Sequence, residues 1–206
     1  MTMPSPPDAN EEPESGFKSE VFEHQATIGL LVDLAPMVEK AGQTILDTMI
    51  SGGKVLLCGN GGSAADAQHL ATEMMVRYEQ QRRPFAAIAL TTDSSLLTAH
   101  TNDYDFGTLF SRQVQGLGRA GDCLIAISTS GRSENVNQAA ATARAMGLTV
   151  IALTGRDGGA LAPLADLAVI VPSDVTARIQ EAHILIGHYW CKAVETALVT
   201  AKEQAA

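Results

Sequence analysis

The sequence predicts an α/β protein with a doubly wound fold, in which helices cover both faces of a five-stranded parallel sheet. After residue 53, five short apolar runs rich in β-branched residues alternate with helical stretches, which is typical of buried parallel strands. The runs are VLLC at 55–58, AAIAL at 86–90, CLIAIS at 123–128, TVIALT at 149–154 and LAVIVP at 167–172. A glycine-rich turn follows the first run and a serine-rich turn follows the third. Ligands are therefore expected at the carboxyl ends of the strands.

Two helices are predicted before the sheet. From Phe17 to Ile50 the apolar residues recur at helical spacing, and Pro36 lies between two apolar stripes. Gly52 and Gly53 end the second helix. These features predict a helical hairpin over 17–53. The first 16 residues hold four prolines and four acidic residues and are predicted to be a disordered tail.

The remaining helices follow from the same periodicity. Between the strands, helices are predicted over 63–77, 94–101, 105–117 and 133–146, with a short one near 159–165. A long amphipathic helix is predicted over 177–203. Residues 17–206 then form one domain, with the parallel α/β core at 54–172. The hairpin and the last helix carry more apolar surface than one face of the sheet can cover, which favours contacts between subunits.

Composition excludes several classes of function. The chain has 206 residues and a formal net charge of −9, so nucleic acid and anionic membranes are not expected as general partners. It contains no apolar run of membrane-spanning length and no basic, apolar leader at its start. Cys58, Cys123 and Cys191 are odd in number and widely spaced, which argues against a disulfide framework. A cytoplasmic protein with reduced thiols is expected.

The turn after the first strand opens the stretch GNGGSAADAQHLATE at 59–73. Gly59, Gly61 and Ala64 fit the G-x-G-x-x-A pattern of a dinucleotide site, and Asp93 lies beyond the second strand. Asp93 is further along the chain than the usual ~20 residues, so the match is weak. Such glycines also serve any ligand that approaches a βα turn, or a tight turn with no ligand. All three interpretations stay open on these residues alone.

A second turn, STSGRS at 128–133, follows the third predicted strand. Hydroxyl groups together with backbone N–H groups at a helix N-terminus form a phosphate site. Such a site suits an acidic protein, because it binds an anion without a basic patch. The plainer alternative is that Ser133 only caps the next helix. Four hydroxyls in six residues favour a ligand.

Two predicted helices carry further polar residues that are candidates for a catalytic or metal-binding site. His69 and Glu73, four residues apart, face the same side of the helix that begins at the glycine turn. They could bind a metal ion, the glutamate could act as a base, or the two could form a surface hydrogen bond. The last helix holds Gln180, His183 and His188 among large apolar residues. His183 is expected to be structural, whereas Gln180 and His188 are candidates for a site.

These motifs, in this order, resemble those of the phosphoheptose isomerases of the sugar-isomerase (SIS) domain superfamily. The matching stretches are GNGGSAADAQHLATE, TNDY at 101–104, STSGRSENV, ALTGRDGG and TARIQEAHILIGH. The similarity runs from about residue 28 to 199. It implies a homotetramer with active sites between subunits. It also implies interconversion of sedoheptulose 7-phosphate and D-glycero-D-manno-heptose 7-phosphate through an enediol, a step of heptose biosynthesis.

The resemblance also implies roles for individual residues. Glu73 and His188 would be the acid/base pair. A divalent metal, often zinc in this family, would be bound by His69, Glu73, Gln180 and His188. The implied contacts with the sugar phosphate are Asn60, Gly61, Gly62, Glu73, Asn102, Asp103, Ser128, Thr129, Ser130, Ser133 and Gln180.

Three observations qualify the resemblance. Some family members carry Asp where this chain has Ala177, so a ring-opening role of that carboxylate does not transfer here. On one regular helix Gln180 and His188 lie about 12 Å apart along the axis, which is too far for two ligands of one metal unless the helix start frays or two chains contribute. The replication-initiator-associating protein, a non-catalytic SIS protein, has a similar glycine turn. That branch lacks the acid/base side chains, so Glu73 and His188 favour an enzyme.

Overall fold

A computed structural model describes residues 16–204, and within them it contains one five-stranded parallel sheet. The strand order is β2-β1-β3-β4-β5, which confirms the predicted doubly wound fold. The strands are β1 Val55–Cys58, β2 Ala87–Ala89, β3 Cys123–Ser128, β4 Thr149–Gly155 and β5 Leu167–Val171. The order reverses between β1 and β3, so ligands are expected where these two strands end. Nearly all of the predicted tail at 1–16 lies outside the described residues.

The sheet is buried on both faces. Every residue of β1 and β3 is buried, as expected for strands that read as continuous apolar runs. Leu57 and Ile125 pack in the cluster under the N-terminal helices and the last helix, whereas Leu56 and Leu124 pack in the cluster on the opposite face. Adjacent residues thus feed two separate cores, and the carboxyl ends of β1 and β3 are held in register between them.

Seven α-helices are described. They are α1 Phe17–Leu30, α2 Ala35–Ile50, α3 Gly62–Met75, α4 Ser94–Asp103, α5 Leu109–Leu117, α6 Glu134–Ala145 and α7 Thr176–Gln204. The helix predicted at 105–117 begins instead with a 3₁₀ turn at Phe106–Thr108, because the Asp105 carboxylate accepts the Gly107 N–H at 2.7 Å. The short helix predicted near 159–165 is a single 3₁₀ turn, Ala162–Leu164.

The two N-terminal helices lie along α7. The backbone stays right-handed helical through the 3₁₀ turn Leu31–Leu34, so α1 and α2 follow one another without the reversing loop that a hairpin would need. Pro36 lies in the first turn of α2, where its missing N–H costs no helical bond. Trp190 of α7 donates to the Val38 carbonyl at 2.9 Å, and the buried Arg178 donates to the Glu20 carbonyl at 2.7 Å. These contacts fix α1 and α2 against α7.

The three cysteines are buried and form no disulfide. Desolvation raises the pKa of Cys58, Cys123 and Cys191 to about 12, so none is a thiolate nucleophile at neutral pH. Among the described helices, none is long and apolar enough to cross a lipid bilayer.

Candidate active site

The glycine turn brings the backbone of β1 close to the start of α3. A Cβ at Gly59 would lie 2.7 Å from the carbonyl oxygen of Ser63, so only glycine fits there without a shift. Gly61 has φ +56° and ψ −121°, a conformation that favours glycine, and stands at the N-cap of α3 with open space around it. No side chain caps the helix at this end. A ligand can therefore approach the α3 N-terminus without meeting side chains from these two glycines.

The serine-rich turn follows β3 directly. Ser128 Oγ and Ser133 Oγ lie 3.1 Å apart, and Ser130 Oγ accepts the Arg132 N–H at 3.2 Å. Ser133 occupies the N-cap of α6, but its hydroxyl makes no capping hydrogen bond. The plainer alternative, in which Ser133 only caps the helix, therefore does not describe its hydroxyl.

A glycine of the serine-rich turn packs on a second loop. Gly131 has φ +63°, and a Cβ there would overlap the carbonyl of Gly158. The Gly131 carbonyl accepts the Leu161 N–H at 3.0 Å. The loop after β4 thus packs against the serine-rich turn and supports it.

A pair of amides joins the two turns. Asn60 Nδ2 donates to Asn135 Oδ1 at 2.8 Å, and Asn135 Nδ2 donates to Asn60 Oδ1 at 2.9 Å. Asn135 lies in the first turn of α6 and is 2% exposed. The reciprocal pair fixes the glycine turn against the serine-rich turn at the switch point. Sequence reasoning selected Asn60 but missed Asn135, although it stands within STSGRSENV.

A cleft of about 520 Å³ opens beside the glycine turn. Asn60, Gly61 and Asn102 line it, together with α4 and the 3₁₀ turn after it. Asn102 donates to the exposed Asp103 carboxylate at 2.8 Å. Only these three of the predicted substrate residues line the cleft. The others, which do not line it, are Gly62, Glu73, Asp103, Gln180 and the four hydroxyl residues of the serine-rich turn.

Asp93, the candidate ribose ligand of a dinucleotide site, has another role. It is the N-cap of α4, and its carboxylate accepts the Leu96 N–H at 3.0 Å. This bond satisfies one of the N–H groups at the start of the helix, as N-cap side chains do. The geometry therefore gives no support to the dinucleotide alternative.

His69, Glu73 and His188 come together from α3 and α7. His69 Nε2 and His188 Nε2 are 2.8 Å apart, so one ring donates a hydrogen bond to the other. Glu73 Oε1 lies 3.5 Å from His69 Nε2. The side chain of Glu73 is 20% exposed and that of His69 is 44% exposed, so the cluster remains open to solvent. An imidazole and a carboxylate at this separation could both act on one bound molecule.

A single glycine permits this approach of the two helices. Gly187 of α7 packs against Leu70 of α3, and a Cβ at residue 187 would lie 2.6 Å from Leu70 Cδ1. His69 directly precedes Leu70 on α3, and His188 directly follows Gly187 on α7. Because residue 187 has no side chain, the helices come close enough for the two imidazoles to meet.

Gln180 lies at the other end of the seam between α3 and α7. Its side-chain amide occupies the space that a Cβ at Gly62 would need. His188 follows eight residues later, about 12 Å along α7. The predicted metal-ligand set of His69, Glu73, Gln180 and His188 is therefore not assembled within one chain. The helix begins at Thr176, so no frayed start brings Gln180 closer.

The remaining three donors suit zinc in type but are not spread around an ion. Two imidazoles and one carboxylate are a ligand set found in catalytic zinc sites. Two ligand atoms at ~2 Å from a tetrahedral ion are separated by ~3.3 Å, more than the 2.8 Å between the imidazole nitrogens. Accordingly, residues 16–204 contain no cluster of three or more His, Cys, Asp or Glu side chains arranged to hold a metal. The donor types therefore suit zinc, but their positions are not those of ligands around one ion.

Sequence reasoning missed a buried ion pair behind this cluster. Glu195 of α7 accepts a hydrogen bond from Arg82 Nε at 2.8 Å, and both side chains are less than 5% exposed. Tyr78, in the same loop as Arg82, has its ring centroid 5.6 Å from that of His188. A carboxylate among the apolar residues of α7 was the available signal.

Comparison with known proteins gives concordant relatives. A family model described as SIS domain matches residues 27–155. A phosphoheptose isomerase of Thiobacillus denitrificans is 53% identical over 173 residues, covering 82% of this chain and 88% of that protein. One of Campylobacter concisus is 51% identical over 181 residues, covering 88% and 96%.

Solved structures agree with these sequence relatives. A phosphoheptose isomerase from Neisseria gonorrhoeae superposes with a TM-score of 0.79 at 46% identity, covering 87% of this chain and 95% of that one. One from Francisella tularensis gives a TM-score of 0.81 at 38% identity, covering 87% and 97%.

Proposed function

This chain belongs to the phosphoheptose isomerase family of SIS-domain proteins, and we propose that it interconverts sedoheptulose 7-phosphate and D-glycero-D-manno-heptose 7-phosphate in heptose biosynthesis. The reaction is an aldose–ketose isomerisation through a cis-enediol. It moves one proton between adjacent carbons and another between their oxygens. The observation that carries the proposal is the meeting of Glu73, His69 and His188 on a chain that also has a serine-rich turn at the N-terminus of a helix.

The phosphate is assigned to the serine-rich turn. Ser128 and Ser133 offer hydroxyls 3.1 Å apart at the N-terminus of α6, where backbone N–H groups and the helix dipole favour an anion. Thr129 and Ser130 are half-buried in the same turn. Binding energy from the phosphate, which does not react, can then position the reacting carbons.

The sugar chain is assigned to the residues beside the glycine turn. Asn60, Gly61 and Gly62 would contact its hydroxyls, together with Asn102 and Asp103 from the end of α4. Gln180 would contact it from α7, because its amide lies directly against Gly62. Amides and a carboxylate suit this task, since each hydroxyl of a sugar both donates and accepts hydrogen bonds.

The proton transfers are assigned to Glu73 and His188 of a neighbouring subunit, because within one chain Glu73 lies about 16 Å along α3 from Gly62. Glu73 would take the proton from carbon and return it to the neighbouring carbon. His188 would serve the oxygens, because an imidazole near neutral pH can both donate and accept a proton. His69, hydrogen-bonded to His188 and near Glu73, would hold both side chains in place.

Three residues of one chain are the candidates for binding a metal ion. His69, Glu73 and His188 would hold a zinc ion, which when bound polarises the carbonyl of the sugar. For Glu73 and His188, metal binding and proton transfer would be alternating roles, because a side chain bound to zinc is a poorer base. Gln180 could join these three only from a partner subunit, since within its own chain it lies with the glycine turn. A homotetramer with active sites between subunits would supply that contact.

Two further features agree with a multimeric cytoplasmic enzyme. Leu185 and Tyr189 of α7 are 47% and 42% exposed, and with Leu31 and Ala35 they line an apolar groove between α7 and the N-terminal helices. A second subunit would cover such a surface. The buried, unpaired cysteines suit a reducing compartment.

The test is direct. Incubation of the purified protein with sedoheptulose 7-phosphate should produce an aldose signal in the NMR spectrum, with and without EDTA as separate arms. Glu73→Gln should lower kcat by at least ~10²-fold with the assembly intact, because the side chain keeps its size but cannot act as a base. Glu79→Gln, an exposed glutamate in the following loop, is the matched control.

Three outcomes would change the assignment. If the protein is folded but forms no aldose from sedoheptulose 7-phosphate, the isomerase proposal is wrong. Near-normal turnover by Glu73→Gln would remove Glu73 from the chemistry, and full activity in EDTA would make the metal optional. Loss of replication synchrony on deletion, with no heptose defect, would favour the non-catalytic alternative that binds a replication initiator.

A further inference from the structure

Glu195 is a buried carboxylate with an unusually complete set of donors. It lies on α7, seven residues beyond His188, and is 1% exposed. Its two oxygens accept the backbone N–H groups of Tyr78, Glu79 and Gln80 at 3.0, 2.7 and 2.8 Å, and Arg82 Nε at 2.8 Å. A buried charge is tolerated only when its hydrogen bonds are satisfied in this way. The loop after α3 is therefore wrapped around one side chain of α7.

The pKa of Glu195 shows how strongly this arrangement favours the charged form. Burial acts to raise the pKa, but the hydrogen bonds from Glu79, Tyr78, Gln80 and Arg82 outweigh it and hold the pKa below its ordinary value. The carboxylate is thus ionised at neutral pH.

Arg82 carries the contact onward to the end of α3. Its Nη2 donates to the Glu73 carbonyl at 2.7 Å and its Nη1 to the Met74 carbonyl at 2.9 Å. These carbonyls belong to the last turn of α3, where the chain leaves the helix before it supplies their N–H partners. The guanidinium also stacks on Phe85, with 3.8 Å between Arg82 Cζ and the ring centroid. Arg82 therefore caps the turn of α3 that carries Glu73.

Tyr78 carries a second contact to His188. Its backbone N–H is bound by Glu195, and its ring packs beside the His188 ring with centroids 5.6 Å apart and planes tilted by 40°. The His69 ring is a second neighbour, with its centroid 5.0 Å from that of His188. His188 thus contacts both Tyr78 and His69.

From these contacts we propose that Glu195 is a positioning residue for the isomerase reaction, which sets the placement of Glu73 through Arg82 and of His188 through Tyr78. The inference rests on the roles proposed above for Glu73 and His188. The carboxylate of Glu195 binds the loop after α3. Through Arg82 this loop caps the end of α3, and through Tyr78 it packs against the ring of His188 on α7. Removal of this carboxylate would let both side chains move while the phosphate site, which stands on β3 and α6, stays in place.

The variant Glu195→Gln tests this. Glutamine keeps the shape but turns one acceptor into an NH₂ donor that faces backbone N–H groups or Arg82. We expect kcat per folded subunit to fall by ~10–100-fold, because displacements of about 1 Å cost rates of this order, with KM changed by less than ~3-fold. Glu79→Gln, in the same loop but exposed and paired only loosely with Lys192 at 3.6 Å, should leave both constants unchanged.

A purely structural role would give a different pattern. Glu195→Gln would then lower the melting temperature while kcat per folded subunit stayed within twofold of the unaltered protein, and that result would overturn the proposal. If Glu195→Gln does not fold, Arg82→Lys replaces it. Lysine keeps the charge beside Glu195 but cannot bond both carbonyls of α3 with a planar fork. The same fall in kcat at constant KM is expected, and an unchanged kcat would again count against positioning.

A readout without turnover separates this inference from the isomerase assignment. The Cε1–H signal of His188, assigned by its loss in His188→Asn, should shift in Glu195→Gln and stay in place in Glu79→Gln. If the unaltered protein has no isomerase activity but the His188 signal shifts in Glu195→Gln, the assigned reaction is wrong, while the effect of Glu195 on the position of His188 is supported. An unchanged His188 signal in Glu195→Gln would refute the positioning role, whatever the activity.

Discussion

Acidification should destabilise the protein through one buried histidine. His183 of α7 is 0% exposed, and its Nε2 donates to the Thr154 carbonyl of β4 at 3.1 Å, while its Nδ1 has no hydrogen-bond partner among the described residues. Burial lowers the pKa of His183 to about 4, against 6.5 for an exposed ring. Between these values the unfolded chain binds a proton that the folded chain does not. The free energy of unfolding therefore decreases as the pH falls through this window.

The size of the effect follows from the two pKa values. From pH 7.5 to pH 4.5 the linkage amounts to about 2.5 kcal/mol for this one group. Asp66 acts in the opposite sense. Desolvation raises the pKa of its carboxyl to about 6, so its folded form gains protons as the pH falls. Because that residue is only about half buried, we expect its contribution to offset roughly 1 kcal/mol at most.

Urea unfolding at fixed subunit concentration measures the difference. His183→Gln can still donate to the Thr154 carbonyl but does not titrate, so its free energy of unfolding should lose at least ~2 kcal/mol less than the unaltered protein over the same pH change. If the free energy of unfolding changes equally with pH in the two proteins between pH 7.5 and 4.5, the histidine is not held neutral by burial.

Two further substitutions test the site and its scaffold. Ser133→Ala should raise KM by about 10-fold with little change in kcat, measured by steady-state kinetics, because it removes one hydrogen bond to a charged group; an unchanged KM would place the phosphate elsewhere. Gly187→Ala should lower both the melting temperature and kcat, since the new Cβ would lie 2.6 Å from Leu70 and force α7 away from α3. Gly116→Ala on α5, where nothing lies within 4 Å of the added carbon, is the control: it should leave kcat unchanged and keep or slightly raise the melting temperature, because alanine favours a helix more than glycine does.

The sheet could be predicted because the composition of each apolar run is typical of a strand. Five short apolar runs that alternate with helical stretches admit few assignments, and all five strands appear within a residue or two of the predicted bounds. The connection between α1 and α2 was less predictable. Pro36 is compatible with either a reversing loop or a first helical turn, and packing against α7 through Val38 and Arg178 decides between them.

The site was only partly predictable, for a geometric reason. Sequence spacing within one helix shows that His69 and Glu73 share a face, but the register of α3 against α7 decides what they meet. That register depends on Gly187 packing against Leu70, a contact between residues more than a hundred positions apart. It brings His188 to His69 and places Gln180 beside Gly62, so the four-residue metal set implied by the resemblance is divided between two ends of the seam.

The arginine of the serine-rich turn is paired with an acidic residue of the loop after β4. Arg132 stands in that turn, yet its guanidinium is bound to Asp157 through two hydrogen bonds, of 2.7 and 3.2 Å. The hydrogen bond from Arg132 holds the pKa of Asp157 below its ordinary value, and Asp157 also accepts the Gly159 N–H at 3.0 Å. The arginine is thus committed to holding the loop after β4 against the turn. An anion in the turn would then be bound by hydroxyls and backbone N–H groups, whose weaker attraction lets a charged product leave more readily than a bidentate guanidinium would.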